Sequence, residues 1–139
     1  MTSINAYLTF NGNCREAMNF YKESLGGELN LQTVEDSPMA GQLPSNMKKN
    51  IMHSSLAGEG FTIMGSDMCG PEGVVKGNNV SLILNCTSEE EIRNRFQVLS
   101  TGGKVKHPLE DTFWGALFGD LTDRFGIQWL LNFDKSQKA

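Results

Sequence analysis

The sequence predicts an α+β fold of two tandem βαβββ modules, and three observations lead to this prediction. Short β-forming runs alternate with two longer segments whose apolar residues recur at helical spacing. The chain also repeats itself after 76 residues, at Leu8/Leu84, Phe20/Phe96 and Gly26-Gly27/Gly102-Gly103. Finally, eight strands with two helices leave one face of each sheet uncovered. We therefore expect a curved mixed sheet that forms a cup, with the helices outside.

The first module is expected over residues 4–67. Its helix is predicted at 13–25, where Asn13 and Glu16 resemble a capping box and Gly26-Gly27 ends the apolar pattern. Its strands are predicted at 4–10, 29–33, 51–57 and 61–66. The segment 35–50, rich in Asp, Ser, Pro and Gly, is expected to be a loop.

The second module is expected over residues 79–133. A capping box of Ser88 and Glu91 begins its helix, which ends at Gly102-Gly103. Its strands are predicted at 80–86, 104–109, 113–119 and 126–132. A chain of 139 residues has the length of one domain, so both modules are expected to belong to a single domain, 1–139.

Composition and charge argue against several classes of partner. The net charge is −4 and no Lys/Arg cluster is present, which disfavours a nucleic-acid surface. No run approaches the roughly 18 apolar residues of a membrane span, and the first residues do not resemble a secretion signal. Three cysteines without a CxxC motif predict reduced thiols rather than disulfides. We therefore expect a cytoplasmic protein with no nucleic-acid or membrane partner.

Several side chains are candidates for chemistry, and each also has a structural interpretation. His53 lies in an apolar strand and is a candidate acid or base, and Asp67 is a candidate at the end of the fourth strand. Trp114 is a candidate wall for a planar or cationic ligand and is expected to open the seventh strand. Cys14 lies in the first helical turn, where the helix dipole lowers a thiol pKa, but no base accompanies it. His107 precedes a proline, which indicates a surface position.

Three segments resemble the PhnB-like branch of the vicinal oxygen chelate superfamily, which includes glyoxalase I, extradiol dioxygenases and bleomycin-resistance proteins. They are YLTFNGNCREAMNFYKESLGGEL, MHSSLAGEGFTIMGSD and TFWGALFGDLTDRFGIQWLLN, which together cover nearly the whole chain. Such domains are also labelled as similar to a demethylubiquinone methyltransferase. The sequence, however, has no Gly-rich turn between a strand and a helix for a nucleotide-like cofactor.

The resemblance implies that ligands bind inside the cup. In the last strand Gln128, Leu130 and Asn132 share one face, and the family register places Leu130 inward with Trp129 against the helices. Gln128, Leu130, Asn132 and Trp114 are therefore the expected ligand-binding residues.

The superfamily's metal-using members carry their ligands on the first and last strands of each half. The resemblance places the corresponding positions at Ala6, Leu82, Met64 or Gly65, and Leu130. These side chains are not divalent-metal ligands, so we expect no metal cofactor. With Gln128 or Asn132 inward, a weak oxygen-donor site remains an alternative.

The resemblance leaves three functions open. They are a metal-independent enzyme for a small polar substrate, a protein that sequesters a drug or metabolite, and a metal-dependent isomerase, lyase or dioxygenase. It also implies a homodimer, so the expected partners are a small-molecule ligand and a second copy of the chain.

Overall fold

The computed structural model describes residues 2–136, and the chain divides into two compact units, Met1–Val75 and Lys76–Ala139. The first unit comprises β1 (Ala6–Thr9), α1 (Cys14–Leu25), β2 (Glu28–Thr33), a short 3₁₀ helix (Ser45–Met47), β3 (Ile51–Gly58) and β4 (Phe61–Ser66). Its four strands form one sheet in the order β1-β4-β3-β2, in which only the β1–β4 pair is parallel.

The second unit has the same topology. It comprises β5 (Leu82–Cys86), α2 (Glu89–Leu99), β6 (Lys104–Asp111), β7 (Ala116–Thr122) and β8 (Gln128–Asp134). The sheet order is β5-β8-β7-β6, again with one parallel pair, β5–β8. The predicted α+β class and the β-α-β-β-β order of each half are therefore confirmed. Among the described residues, no helix is both long and apolar enough to cross a membrane.

The two helices begin in different ways. Ser88 caps α2 as predicted, because its hydroxyl accepts a hydrogen bond from the Glu91 N–H at 3.0 Å. The predicted capping box at α1 is wrong, since the Asn13 side chain makes no capping hydrogen bond. Instead the carboxylate of Asp67 accepts the Cys14 N–H at 2.9 Å.

In the first unit, α1 covers one face of the sheet. A Cβ placed on Gly65 of β4 would lie 3.3 Å from the Met18 sulfur of α1, so Gly65 faces the helix. Because side chains alternate along a strand, the flanking positions face away from α1. We call this surface the first open face, and its members include Tyr7, Asn30, His53, Ser55 and Met64.

The second sheet is covered by α2 in the same way. A Cβ on Gly119 of β7 would lie 2.9 Å from the Phe96 ring of α2, and buried Trp129 and Leu121 pair on this helix-covered face. The predicted packing of Trp129 towards the helix side is therefore confirmed. We call the opposite surface the second open face, and its members include Ile83, Asn85, His107, Phe118, Asp120, Thr122, Gln128, Leu130 and Asn132.

The first strands have a different register from the one expected from the resemblance. Ala6 pairs with buried Ile63, and Leu82 pairs with buried Trp129, so both side chains lie on the helix-covered faces. Tyr7 and Ile83 occupy the open faces in their place. The expectation for Ala6 and Leu82 is wrong because a shift of one residue moves a side chain to the other face of its strand.

Candidate functional site

The second open face carries a histidine–aspartate pair. His107 of β6 and Asp120 of β7 are cross-strand neighbours, and their Nδ1 and Oδ1 atoms lie 2.6 Å apart. The Asp120 side chain is 19% exposed, whereas that of His107 is 79% exposed. An imidazole that donates its Nδ1–H to a carboxylate presents Nε2 as a base, so this pair can accept a proton from a bound molecule.

Two irregularities of β6 place His107 in this position. The β6–β7 register shifts by one residue between Val105 and His107, and again between His107 and Glu110. The first extra residue is Lys106, whose Nζ donates a hydrogen bond to Gln128 Oε1 of β8 at 3.2 Å. Because the bulge adds one residue, the consecutive side chains of Lys106 and His107 both serve the second open face.

An aromatic cluster lies beside this pair. Phe118 of β7 is two residues from Asp120 on the same face, and its ring centroid is 6.2 Å from that of Trp114 in an edge-to-face arrangement. Trp114 in turn meets Phe113 edge to face at 4.9 Å. The prediction that Phe113 and Trp114 open the seventh strand is wrong, because they lie in the turn 112–115, before β7 begins.

The predicted residues of β8 do share one face, but their polar groups are already partnered. The Gln128 amide nitrogen donates to the carbonyl oxygens of Val80 at 3.1 Å and Gly77 at 3.5 Å. Asn132 donates to the Asn85 side-chain oxygen at 3.2 Å. Gln128 therefore anchors the segment before β5 to the sheet, while half-buried Leu130 lies in the same cross-strand row as Asp120 and Ile83.

His53 lies in the other unit, on the first open face. It is exposed, and its ring centroid is 6.1 Å from that of Tyr7, with the two planes tilted by 31°. The contact brings an imidazole and a phenol together, although neither sequence position indicated the other. A catalytic role for His53 stays a prediction.

Asp67, the other predicted catalytic residue, is 3% exposed. Its Oδ1 accepts the Gly12 and Cys14 N–H groups at 2.8 and 2.9 Å, and its Oδ2 accepts the Ile51 N–H at 2.8 Å. These bonds join the β1–α1 turn to the start of β3. They favour a structural role, because a carboxylate used by three backbone donors is poorly placed to take a proton from a ligand.

The environment of Cys14 opposes the lowered thiol pKa that its position in the first helical turn suggests. Burial raises the pKa of Cys14 to about 11, even though the Ser54 hydroxyl, 3.6 Å away, partly offsets this effect. The helix start alone suggested a lowered pKa, but Cys14 is fully buried beneath the sheet. Desolvation therefore outweighs the helix dipole here.

The residues of the open faces do not fit the superfamily's metal site. On the first strands these faces carry Tyr7 and Ile83, and on the last strands they carry Met64 and Leu130. Gln128, the alternative oxygen donor, receives a hydrogen bond from the Lys106 ammonium, which repels a cation. Within residues 2–136, no group of three or more His, Cys, Asp or Glu side chains is arranged to hold a metal ion.

Comparison with known proteins places the chain among related sequences. Residues 2–132 match the family model described as 3-demethylubiquinone-9 3-methyltransferase. The chain is also 32% identical over 146 residues to protein YjdN of Escherichia coli K12, an alignment that covers 96% of this chain and 97% of YjdN.

Solved structures show the same architecture. Protein PA1353 from Pseudomonas aeruginosa has a TM-score of 0.85 at 40% identity, covering 96% of this chain and 98% of its own. A PhnB protein from Bacillus cereus has a TM-score of 0.74 at 26% identity, covering 95% and 99%. At the level of fold alone, a glyoxalase/bleomycin resistance protein/dioxygenase family enzyme from Burkholderia phytofirmans gives 0.63 at 12% identity, covering 93% and 97%.

Proposed function

Because the chain belongs to the PhnB-like 3-demethylubiquinone-9 3-methyltransferase family of the glyoxalase/bleomycin-resistance superfamily, we propose that it binds a small organic molecule on the second open face. The observation that carries the proposal is the convergence of three kinds of group on this face. The Trp114–Phe118 pair supplies aromatic surface, Leu130 and Ile83 supply aliphatic surface, and the His107–Asp120 pair supplies a polar contact.

This composition is typical of small-molecule sites, which combine apolar walls with a few placed polar groups. Trp114 is 57% exposed, so its ring is available to a planar ligand. The family description names methyl transfer, but the strand-to-helix turns of this chain do not resemble the turns that bind a nucleotide-like methyl donor. Nucleotide cofactors bind at Gly-rich turns between a strand and a helix. Here the turn at 10–13 contains a single glycine, and the turn at 87–88 contains none.

Tryptophan fluorescence tests this proposal, because the Trp114 ring contacts Phe118 of the second open face, whereas Trp129 lies on the helix-covered face of the same sheet. Trp129 is 2% exposed and donates its indole N–H to Asp123 at 2.9 Å, so a ligand on the second open face reaches only Trp114. We would titrate the protein with a panel of aromatic carboxylates and aromatic amines. Saturable quenching that is lost in Trp114→Phe supports the proposal, and unchanged emission across the panel overturns it.

The same titration separates the functions that the family leaves open. A ligand that binds and is recovered unchanged identifies a sequestering protein, whereas a ligand that is converted identifies an enzyme. The acidic net charge of −4 favours cationic ligands through long-range attraction, while Lys106 favours an anionic group locally. The panel therefore contains both charge types. The donor chemistry of the open faces disfavours the metal-dependent alternative.

We further propose a homodimer in the cytoplasm. The exposed apolar side chains include Ile4, Val75 and Val80, which would be partly covered by a second copy. The proposed cytoplasmic location is supported by the cysteines, because all three are free and the cytoplasm keeps thiols reduced. Equilibrium sedimentation is expected to give twice the monomer mass of 15.3 kDa, and a monomeric mass at micromolar concentration would contradict the dimer. Cell fractionation checks the compartment.

A further inference from the structure

The His107–Asp120 pair can do more than hold a ligand. Asp120 is mostly buried and its Oδ1 lies 2.6 Å from His107 Nδ1, so the carboxylate sets the tautomer in which Nδ1 carries the proton. The exposed Nε2 then has a free lone pair. A carboxylate that orients an imidazole and stabilises its protonated form is the arrangement of a general base.

The neighbours of the pair indicate which molecules it would act on. Phe118 and Asp120 lie on the same face two residues apart on β7, which corresponds to about 7 Å along a strand. An aromatic ring placed on Phe118 and Trp114 would therefore bring a substituent or ring edge to His107. On the other side of His107, the ammonium of Lys106 is held near β8 by Gln128, where it can meet negative charge.

Resting on the proposed function, we propose that His107 is a catalytic base for planar aromatic carbon acids whose deprotonation leaves negative charge on an oxygen. In this step Nε2 takes the proton, and the electrons of the broken C–H bond form a new π bond. In the same step a bond to an oxygen of the ligand breaks, either the π bond of a conjugated carbonyl or the N–O bond of a benzisoxazole. Its electron pair stays on that oxygen, whose negative charge Lys106 attracts. Asp120 is the positioning residue, because its carboxylate holds the His107 ring through Nδ1 and leaves Nε2 to meet the ligand. The step requires no metal ion and no oxidant or reductant.

The probe is 5-nitrobenzisoxazole, a planar carbon acid. Loss of its ring C–H proton to a base breaks the N–O bond and gives a nitrile and a coloured phenolate, with no other reactant. Wild-type protein is expected to show saturable turnover. His107→Ala is expected to lose about 100-fold or more, the lower bound for a positioned base, and free imidazole is expected to restore part of the loss.

The role of Asp120 needs a readout that a structural role would not move. Asp120→Asn preserves shape but favours the wrong imidazole tautomer, so kcat is expected to fall while KM changes little. Asp36→Asn, an exposed aspartate of the first unit, is the matched control and is expected to retain wild-type kinetics. Equal loss in both variants would overturn the positioning role.

The outcomes separate this inference from the proposed function. Turnover that is undiminished in His107→Ala, or wild-type turnover no faster than buffer, overturns the general base. If the aromatic panel still quenches Trp114 in that case, ligand binding on the second open face stands without the catalytic step. If neither turnover nor quenching occurs, both proposals fall.

Discussion

Asp67 offers a direct test of whether a buried carboxylate serves structure or catalysis. Its two oxygens accept three backbone N–H groups at 2.8 to 2.9 Å, from Gly12, Cys14 and Ile51, and the side chain is 3% exposed. Asp67→Ala leaves these donors without their acceptor. We expect a loss of about 3 kcal/mol or more in the free energy of unfolding, because each buried donor left without an acceptor costs about 1–3 kcal/mol.

The conservative change Asp67→Asn should have a smaller effect. Its amide oxygen can replace Oδ1 against Gly12 and Cys14, but its amide nitrogen would face the Ile51 N–H, donor against donor. One charge-assisted hydrogen bond is then lost and the others become neutral. We expect a loss of about 1.5–3 kcal/mol, the usual value for a hydrogen bond to a charged group.

Urea unfolding followed by far-UV circular dichroism measures both losses, with Glu59→Gln in the exposed β3–β4 turn as the control. Amide hydrogen exchange adds local information, because Gly12, Cys14 and Ile51 should lose protection first in Asp67→Asn. A destabilisation of less than about 1 kcal/mol in Asp67→Ala, a value ordinary for a surface change, would refute the structural role.

Three further predictions concern the thiols, the second helix and the second sheet. Burial raises the pKa of Cys14 to about 11 and that of Cys86 to about 12, above the ordinary 9.0, so the unfolded chain loses these protons first. The free energy of unfolding should therefore fall as pH rises from about 9 towards 11, and it should fall less steeply in the double variant Cys14→Ala/Cys86→Ala. Urea titrations at several pH values measure both dependences, and the same pH dependence in the two proteins would contradict this prediction. Burial of Glu91 opposes ionisation, but the Thr87 backbone N–H and the Arg95 guanidinium outweigh burial and lower the pKa of Glu91 below 4.5. The ionised side chain therefore stabilises the fold at pH 7, and Glu91→Gln should lower the melting temperature there. The same substitution should have little effect once the pH falls below the lowered pKa. Gly119→Ala places a Cβ 2.9 Å from Phe96 and should cost about 1–3 kcal/mol, and Phe96→Leu should recover part of it in thermal melts.

The order of elements could be predicted because its signals are local. The repeated Gly-Gly pairs end both apolar helical patterns, and the Ser88–Glu91 capping box lies within one turn of the helix that it begins. The strand boundaries were less accurate. The sequence predicts the seventh strand at 113–119, but the strand occupies Ala116–Thr122. Phe113 and Trp114 have a high β-propensity, which favours the earlier start, yet both lie in the turn that precedes the strand.

The candidate site depended on pairings that a single sequence does not display. The Asn13–Glu16 pattern suggested a local cap, yet the acceptor for the first helix is Asp67, 53 residues beyond the Cys14 N–H that it binds. His107 was expected to be a surface residue, and it is exposed, but its partner Asp120 is brought opposite it by two shifts of register in β6. A bulge changes the face of every residue beyond it, so alternation alone could not place His107 with Asp120.

Two buried aspartates and one half-buried aspartate show how hydrogen-bond partners distinguish structure from chemistry in this fold. Asp67 is occupied by three backbone donors, and Asp123 by the Phe125 and Ile127 N–H groups and the Trp129 indole. Such donors do not ionise near neutral pH, so these carboxylates hold loops in place rather than take part in proton transfer. Asp120 instead bonds a titratable ring whose second nitrogen faces outward. Its interaction can change when a ligand gives up a proton, and for that reason the second open face is the part of this chain on which chemistry should be sought.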